Sequence, residues 1–306
     1  MLGFALLVAQ VLSSEASFFD PTVYSSARPA LCSAGAAPGL WDRARFPELS
    51  AYCRELARGY SRLGQDPAAA RGAAARARRL RPSAAAPHVL LARALYALGR
   101  NRESFETFER ALSIDRTSLR SVDALYDYAR SALVTRRLER AVPAYRALVP
   151  RAVLASKPNV LRVEAASLLL AQGPIELTEA LFVIGVARQQ NLEPDLDPYV
   201  IGLWALALSR AGRSSEGQAA KREMESAWLA FEEADRDERP SEAPPGASFR
   251  PLLLDVERHA MIAVLAEAEA PDVAAEHYAA YLADPSRPAE WRAHAERRLA
   301  ALGMKR

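Results

Sequence analysis

"APHVLLARALYALGRNRESFETFERALSID", residues 86–115, carries the pattern on which the reading of the whole chain turns. Leu91, Leu95 and Leu98 recur at helical spacing, the run breaks at Gly99-Arg100-Asn101, and Phe105, Phe108, Ala111 and Leu112 resume it on a second helical face. The stretch therefore predicts two helices joined by a tight turn. Working outward, Ala, Leu and Arg dominate the composition, β-branched residues are sparse, and no segment alternates apolar with polar residues, so the chain reads as all-α. Its 306 residues exceed one average globular core, which leaves two domains or an elongated array of repeats. With 40 basic and 37 acidic residues, a net charge of +3 is too balanced to imply a nucleic-acid surface.

The beginning of the sequence reads differently. "MLGFALLVAQVL", residues 1–12, is an apolar run of signal-peptide length, and Ser14 and Ala16 fit a small-x-small cleavage pattern, so cleavage after Ala16 is expected. No Lys or Arg precedes the run, which leaves an uncleaved anchor as the alternative. Cys32 and Cys53 stand close enough in sequence to form one disulfide that staples the N-terminal arm, residues 17–49, to the first helix; the alternative is two separate buried thiols. An oxidising, periplasmic or otherwise exported location follows from the first reading, and a cytoplasmic or membrane-anchored one from the second.

The opening stretch resembles a tetratricopeptide repeat, a helix-turn-helix unit of about 34 residues. Leu91 and Ala92 take its large-small pair, Leu95 an aromatic position, Gly99 the turn, Phe108 the second aromatic position and Ala111 the small residue of the second helix. Ser104 departs from the usual Ala, and Arg116 from the usual Pro. Upstream, Leu56, Ala57, Tyr60, Gly64, Leu80 and Pro82 fall in register, with 35 residues from Gly64 to Gly99; downstream, Tyr128, Ala129, Ala141 and Tyr145 follow, with 37 residues from Ala92 to Ala129. Weaker units follow over residues 162–188 and 201–228, where Trp204 and Trp228 read as core. The resemblance implies a right-handed α-solenoid: repeats over 50–235, a Pro-rich loop over 236–251, and over 252–306 a final helix pair marked by Ala274, Tyr278 and Leu282. Trp291, Ala295 and Leu299 line one side of its capping helix.

Catalytic constellations are not evident. The sequence has no G-x-S-x-G, no phosphate-cradling Gly-rich loop, no H-E-x-x-H and no C-x-x-C, and no cofactor is implied. His259, His277 and His294, with Glu257 or Glu276, form the one imaginable metal or hydrolytic cluster, but separations of 18 and 17 residues assign them to different helices. "EEADRDE", residues 232–238, lacks the alternation and Gly of a calcium loop.

What the resemblance does imply is a surface. First helices of successive repeats line a groove in that family, and Arg58, Arg93 and Arg130 occupy the same groove position of three consecutive units. Arg54, Arg62, Tyr96 and Tyr126 lie one turn away. Guanidinium forks bond carboxylates in pairs of hydrogen bonds and tyrosines offer rigid contact area, so an acidic or C-terminal peptide, extended or helical, is the expected ligand. The Lys and Asn pattern of a terminal-carboxylate clamp is missing. The competing expectation is that these arginines pair with Glu55, Asp123 or Asp127 on neighbouring turns and repeats. The sequence thus points to a non-enzymatic protein-docking scaffold of the cell envelope, with a C-terminal metal or hydrolytic site as the alternative.

Overall fold

A computed structural model describes residues 32, 47–189, 197–222 and 255–303. The apolar N-terminal run, most of the N-terminal arm, the Pro-rich loop and Trp228 lie outside the described residues. Among the described residues there are 13 α-helices and no strand, and none of the helices is long and apolar enough to cross a membrane. The chain divides into two compact units, Met1–Thr135 and Arg136–Arg306.

The first unit holds α1 (Leu49–Arg62), α2 (Pro67–Leu80), α3 (Ala86–Ala97), α4 (Asn101–Ile114) and α5 (Val122–Val134). Each packs on the next, and α3 also packs on α1 and α5. Leu49, Tyr52, Leu56 and Gly59 form the buried seam of α1, spaced three and four residues apart. Facing it, α2 buries only alanines: Ala70, Ala73, Ala74 and Ala77. That choice lets the backbones approach closely. A Cβ on Gly59 would stand 2.3 Å from Leu90 Cδ2 and 3.3 Å from Ala73 Cβ. Asp66 starts α2 by accepting the Ala69 backbone N–H at 2.9 Å, with Pro67 at the first helical position.

The break expected at Gly99 has a defined chemistry. Gly99 adopts φ +74°, its N–H donates to Tyr96 O at 2.9 Å, and the Arg100 N–H reaches back to Leu95 O at 2.9 Å. This pair of bonds satisfies the last carbonyls of α3, and the left-handed backbone it needs favours glycine. Arg100 then grips Glu103 with both arms of its guanidinium, at 2.6 and 2.5 Å. Ser104, which departs from the repeat pattern, is fully buried and donates its hydroxyl to Ala92 O at 2.8 Å, pinning α4 to α3.

The second unit holds α6 (Leu138–Leu148), α7 (Pro158–Gln172), α8 (Leu177–Arg188), α9 (Asp197–Arg210), α10 (Ser214–Arg222), α11 (Asp255–Ala266), α12 (Pro271–Leu282) and α13 (Ala289–Ala301). The turn chemistry of Gly99 recurs between α9 and α10. Gly212 has φ +77°, the Arg213 N–H donates to Leu208 O at 2.8 Å, and Arg213 forks onto Glu216 at 2.7 and 2.7 Å. Gly-Arg-x-x-Glu is therefore one turn used in both units.

Five helices of this unit converge on one guanidinium. The Arg210 side chain, 1% exposed, donates to Leu170 O of α7 at 2.9 Å and to Tyr281 Oη of α12 at 3.0 Å, and stands 2.7 Å from the Glu257 carboxylate of α11. The ring of Trp291 on α13 lies 4.6 Å from it and donates its own N–H to Leu170 O at 2.8 Å. A charge so deeply placed survives because it is ion-paired, hydrogen-bonded and stacked together. Burial pushes the Tyr281 hydroxyl well above its ordinary range.

Three tyrosines that the repeat pattern singles out share one device. Tyr128 donates to Glu109 at 2.6 Å, Tyr145 to Glu164 at 2.7 Å and Tyr278 to Glu267 at 2.5 Å. Each ring is buried, so its hydroxyl needs an acceptor, and a carboxylate supplies one, from a neighbouring helix for Tyr128 and Tyr145 and from the turn after α11 for Tyr278. Trp204, expected in the core, is half-buried on α9 and packs at Gly185 of α8.

Candidate functional site

The candidate groove residues all fall on α1, α3 and α5 of the first unit, where α3 lies between the other two. Their environments differ sharply. On α1, Arg54, Arg58 and Arg62 are exposed and repeat every fourth residue, which aligns them on one helix face. Arg58 pairs with Glu55 of its own helix at 3.3 Å, the one carboxylate within ion-pair distance of it among the described residues, and its side chain is 56% exposed. Glu55 also holds Arg76 of α2 at 2.9 Å, so it ties the first hairpin together. Among the described residues, Arg54 and Arg62 have no carboxylate within ion-pair distance.

On α3, Arg93 is committed. Its Nε donates to Asp127 Oδ2 of α5 at 2.6 Å, with both side chains at most 17% exposed. Burial lifts the Asp127 carboxyl above the ordinary carboxylate range, and the Arg93 guanidinium pulls against that lift. Arg93 itself is raised, because the attraction of Asp127 exceeds the desolvation that burial imposes. Tyr60 of α1 stands near enough to Arg93 to feel its charge, and burial pushes its hydroxyl up to about 12.

On α5, Arg130 is buried, its guanidinium 5.6 Å from the Tyr126 ring and 6.0 Å from the Tyr96 ring. Equal register positions thus give three outcomes: a solvated cation at Arg58, an interhelical tie at Arg93 and a stacked, buried cation at Arg130. Arg93 matches the pairing with Asp127 that was the competing expectation, and Arg58 the pairing with Glu55. The face is a paired and stacked polar floor across α3 and α5, bordered by an exposed cationic stripe on α1.

Cys32 and Cys53 stand at disulfide distance, 1.98 Å between sulfurs, and both pack against the cluster of Leu49, Tyr52, Leu56, Ala74, Ala77 and Leu90. The N-terminal arm is thereby joined to α1 one residue before the first arginine of the stripe.

No protein-family model matches the chain, and no curated protein matches it.

The C-terminal histidines separate into two environments. His259 of α11 and His277 of α12 bring their Nδ1 atoms to 2.8 Å. His294 of α13 instead faces Ser209 Oγ at 3.1 Å; burial, helped by Arg210, Arg298 and Arg297, pushes it down to about 4. Glu257, grouped with the histidines by sequence, is taken by Arg210, and Glu276 is exposed. Among the described residues no group of three or more His, Cys, Asp or Glu side chains is arranged to hold a metal ion. The residues that sequence reasoning missed are Arg210 and Arg287, which stand 2.7 Å from Glu257 Oε2 and 3.8 Å from Glu257 Oε1. A buried charge carries no periodic signature, and only the unusual Arg at the apolar end of "IGLWALALSR" hinted at it.

Proposed function

We propose that the chain is an exported, non-enzymatic scaffold of tetratricopeptide type, which docks acidic extended or helical segments of other proteins on the α1, α3 and α5 face of its first unit. The single observation that carries this reading is the aligned, exposed Arg54, Arg58 and Arg62 beside the immobilised Arg93–Asp127 pair. A docking surface needs a rigid floor and accessible charge, and here the two are provided by different helices.

Repetition of the Gly-Arg-x-x-Glu turn and of the tyrosine-carboxylate bond supports a repeat architecture, as does the packing of α3 on both α1 and α5. The Cys32–Cys53 pair supports an oxidising compartment, in line with the apolar N-terminal run. The test is cross-linking capture from cell-envelope extract with the native chain and with Arg54, Arg58 and Arg62 changed to Glu. A defined partner held by the first and lost by the second sustains the reading; equal capture by both contradicts it.

A second reading keeps the C-terminal region as a metal or hydrolytic site, favoured by the approach of His259 and His277. It predicts stoichiometric metal in the purified chain that is lost when either histidine is replaced.

A further inference from the structure

An open cleft of ≈ 590 Å³ in the first unit is lined from α2, α4 and the start of α3. Arg78 and Arg79 enter it from the end of α2, His88 from the start of α3, and Glu106, Thr107 and Arg110 from α4. The cleft is cationic for a definite reason. Glu106, its one acidic side chain, is held by Arg102 at 3.1 Å, and among the described residues no carboxylate stands within 4.0 Å of Arg78, Arg79 or Arg110. The α2 hairpin ties its arginine Arg76 to Glu55, and the α4 turn ties Arg100 to Glu103. The guanidinium groups facing the cleft are the ones left over.

His88 adds an independent observation. It is 8% exposed, so it is a buried polar group at the wall of a cationic cleft. Burial, together with the charges of Arg78 and Arg110, lowers its pKa, while a hydrogen bond with the Pro82 backbone opposes that shift. Both arginines therefore direct their field into the same small volume.

We propose that this cleft binds a phosphoryl-class dianion, gripped by Arg78, Arg79 and Arg110 with Thr107 as a further donor. A lone carboxylate offers two oxygens in one plane and is satisfied by a single guanidinium fork. Three guanidinium groups lining one cleft from two helices exceed that demand and match the three oxygens and double charge of a phosphoryl group. The ligand is either a free phosphate compound or a phosphorylated side chain; the chemistry of the grip is common to both. This site is distinct from the α1, α3 and α5 face, and the proposal stands whether or not that face docks a protein.

The experiment uses the full chain, with pyrophosphate and a phosphoserine peptide as probes and acetate as the control anion. Binding is followed by calorimetry and by the ring resonances of His88. Saturable binding of either probe is expected, with the His88 imidazole moving toward its protonated form as the anion offsets the arginine field. The tighter of the two probes identifies the source. Arg78 and Arg110 are exposed, so the Arg78→Ala/Arg110→Ala variant keeps its fold, checked by circular dichroism. It is expected to bind at least about tenfold more weakly, since each charge-assisted hydrogen bond lost is worth about that factor. Arg71→Ala/Arg116→Ala removes the same charge at exposed positions that do not line the cleft, and is expected to bind like the native chain. The proposal is overturned if neither probe saturates, if acetate competes equally, or if both double variants lose affinity alike, which indicates diffuse charge attraction.

Discussion

Arg93 of α3 donates its Nε–H to Asp127 of α5 across 34 residues at 2.6 Å, and this bond fixes the middle of the candidate face. Replacing Arg93 by Gln strands a carboxylate that burial already lifts above its usual range. The expected cost at neutral pH is roughly 1.5–3 kcal/mol, typical of a hydrogen bond to a charged group. Because the stranded carboxyl gains a proton more readily in the folded chain than in the unfolded one, the deficit shrinks as pH falls through its raised pKa. Urea midpoints of both chains at neutral and mildly acidic pH check this: the gap narrows on acidification.

Gly59 lets α1 meet both α2 and α3. A methyl group there would sit 2.3 Å from Leu90 Cδ2, and Leu90 is fully buried, so it has little room to yield. Gly59→Ala is expected to destabilise the chain by about 1–3 kcal/mol despite the better helix propensity of Ala. Gly72→Ala on α2 meets nothing closer than 3.4 Å, and is expected to stabilise by about 0.5–1 kcal/mol. Thermal midpoints of the two variants shift in opposite directions.

Arg136 is the one described non-glycine residue with positive φ, at 58°. It follows α5 at the place that Gly99 takes after α3, and as an exposed arginine it carries the backbone strain without compensating burial. Arg136→Gly is expected to stabilise by roughly 0.5–1 kcal/mol, the left-handed penalty less the entropy of an extra glycine. A higher urea midpoint with an unchanged slope is the signature.

His294 makes the fold acid-sensitive. Its folded pKa lies at about 4 against 6.5 as the ordinary value, so on acidification the unfolded chain takes up the proton first. Stability therefore falls as pH drops from about 6.5 toward 4, and this group contributes no further loss below that. His88, shifted in the same direction by burial, adds to the loss. His294→Gln, which keeps a polar group near Ser209, is expected to flatten the dependence without abolishing it, as read from urea midpoints at pH 7 and 4.5.

Helices and turns were legible because their signals are local. Gly99 marks a left-handed cap whose bonds span five residues, and the apolar spacing on either side of it fixes two helices. The cysteine pairing was legible as one of two options, since only Cys32 and Cys53 exist. What the sequence could not rank was the fate of Arg58, Arg93 and Arg130, which share a register position. Their difference is made by the following helix: α5 offers Asp127 to Arg93, whereas Arg58 meets Glu55 of its own helix. The meeting of Arg210 with Glu257 was hidden for the same reason, since contacts between helices leave no mark on the periodicity of either.

The central claim is that the face bearing Arg54, Arg58 and Arg62 docks a protein. Its most direct measurement places a photo-cross-linking residue at position 58 of the full chain, and in a second chain at position 71, an exposed site on α2, with capture in the native envelope. The account predicts one defined partner joined at position 58 and absent at position 71, with an acidic segment at the cross-linked site. Equal capture from both positions, or from neither, contradicts it.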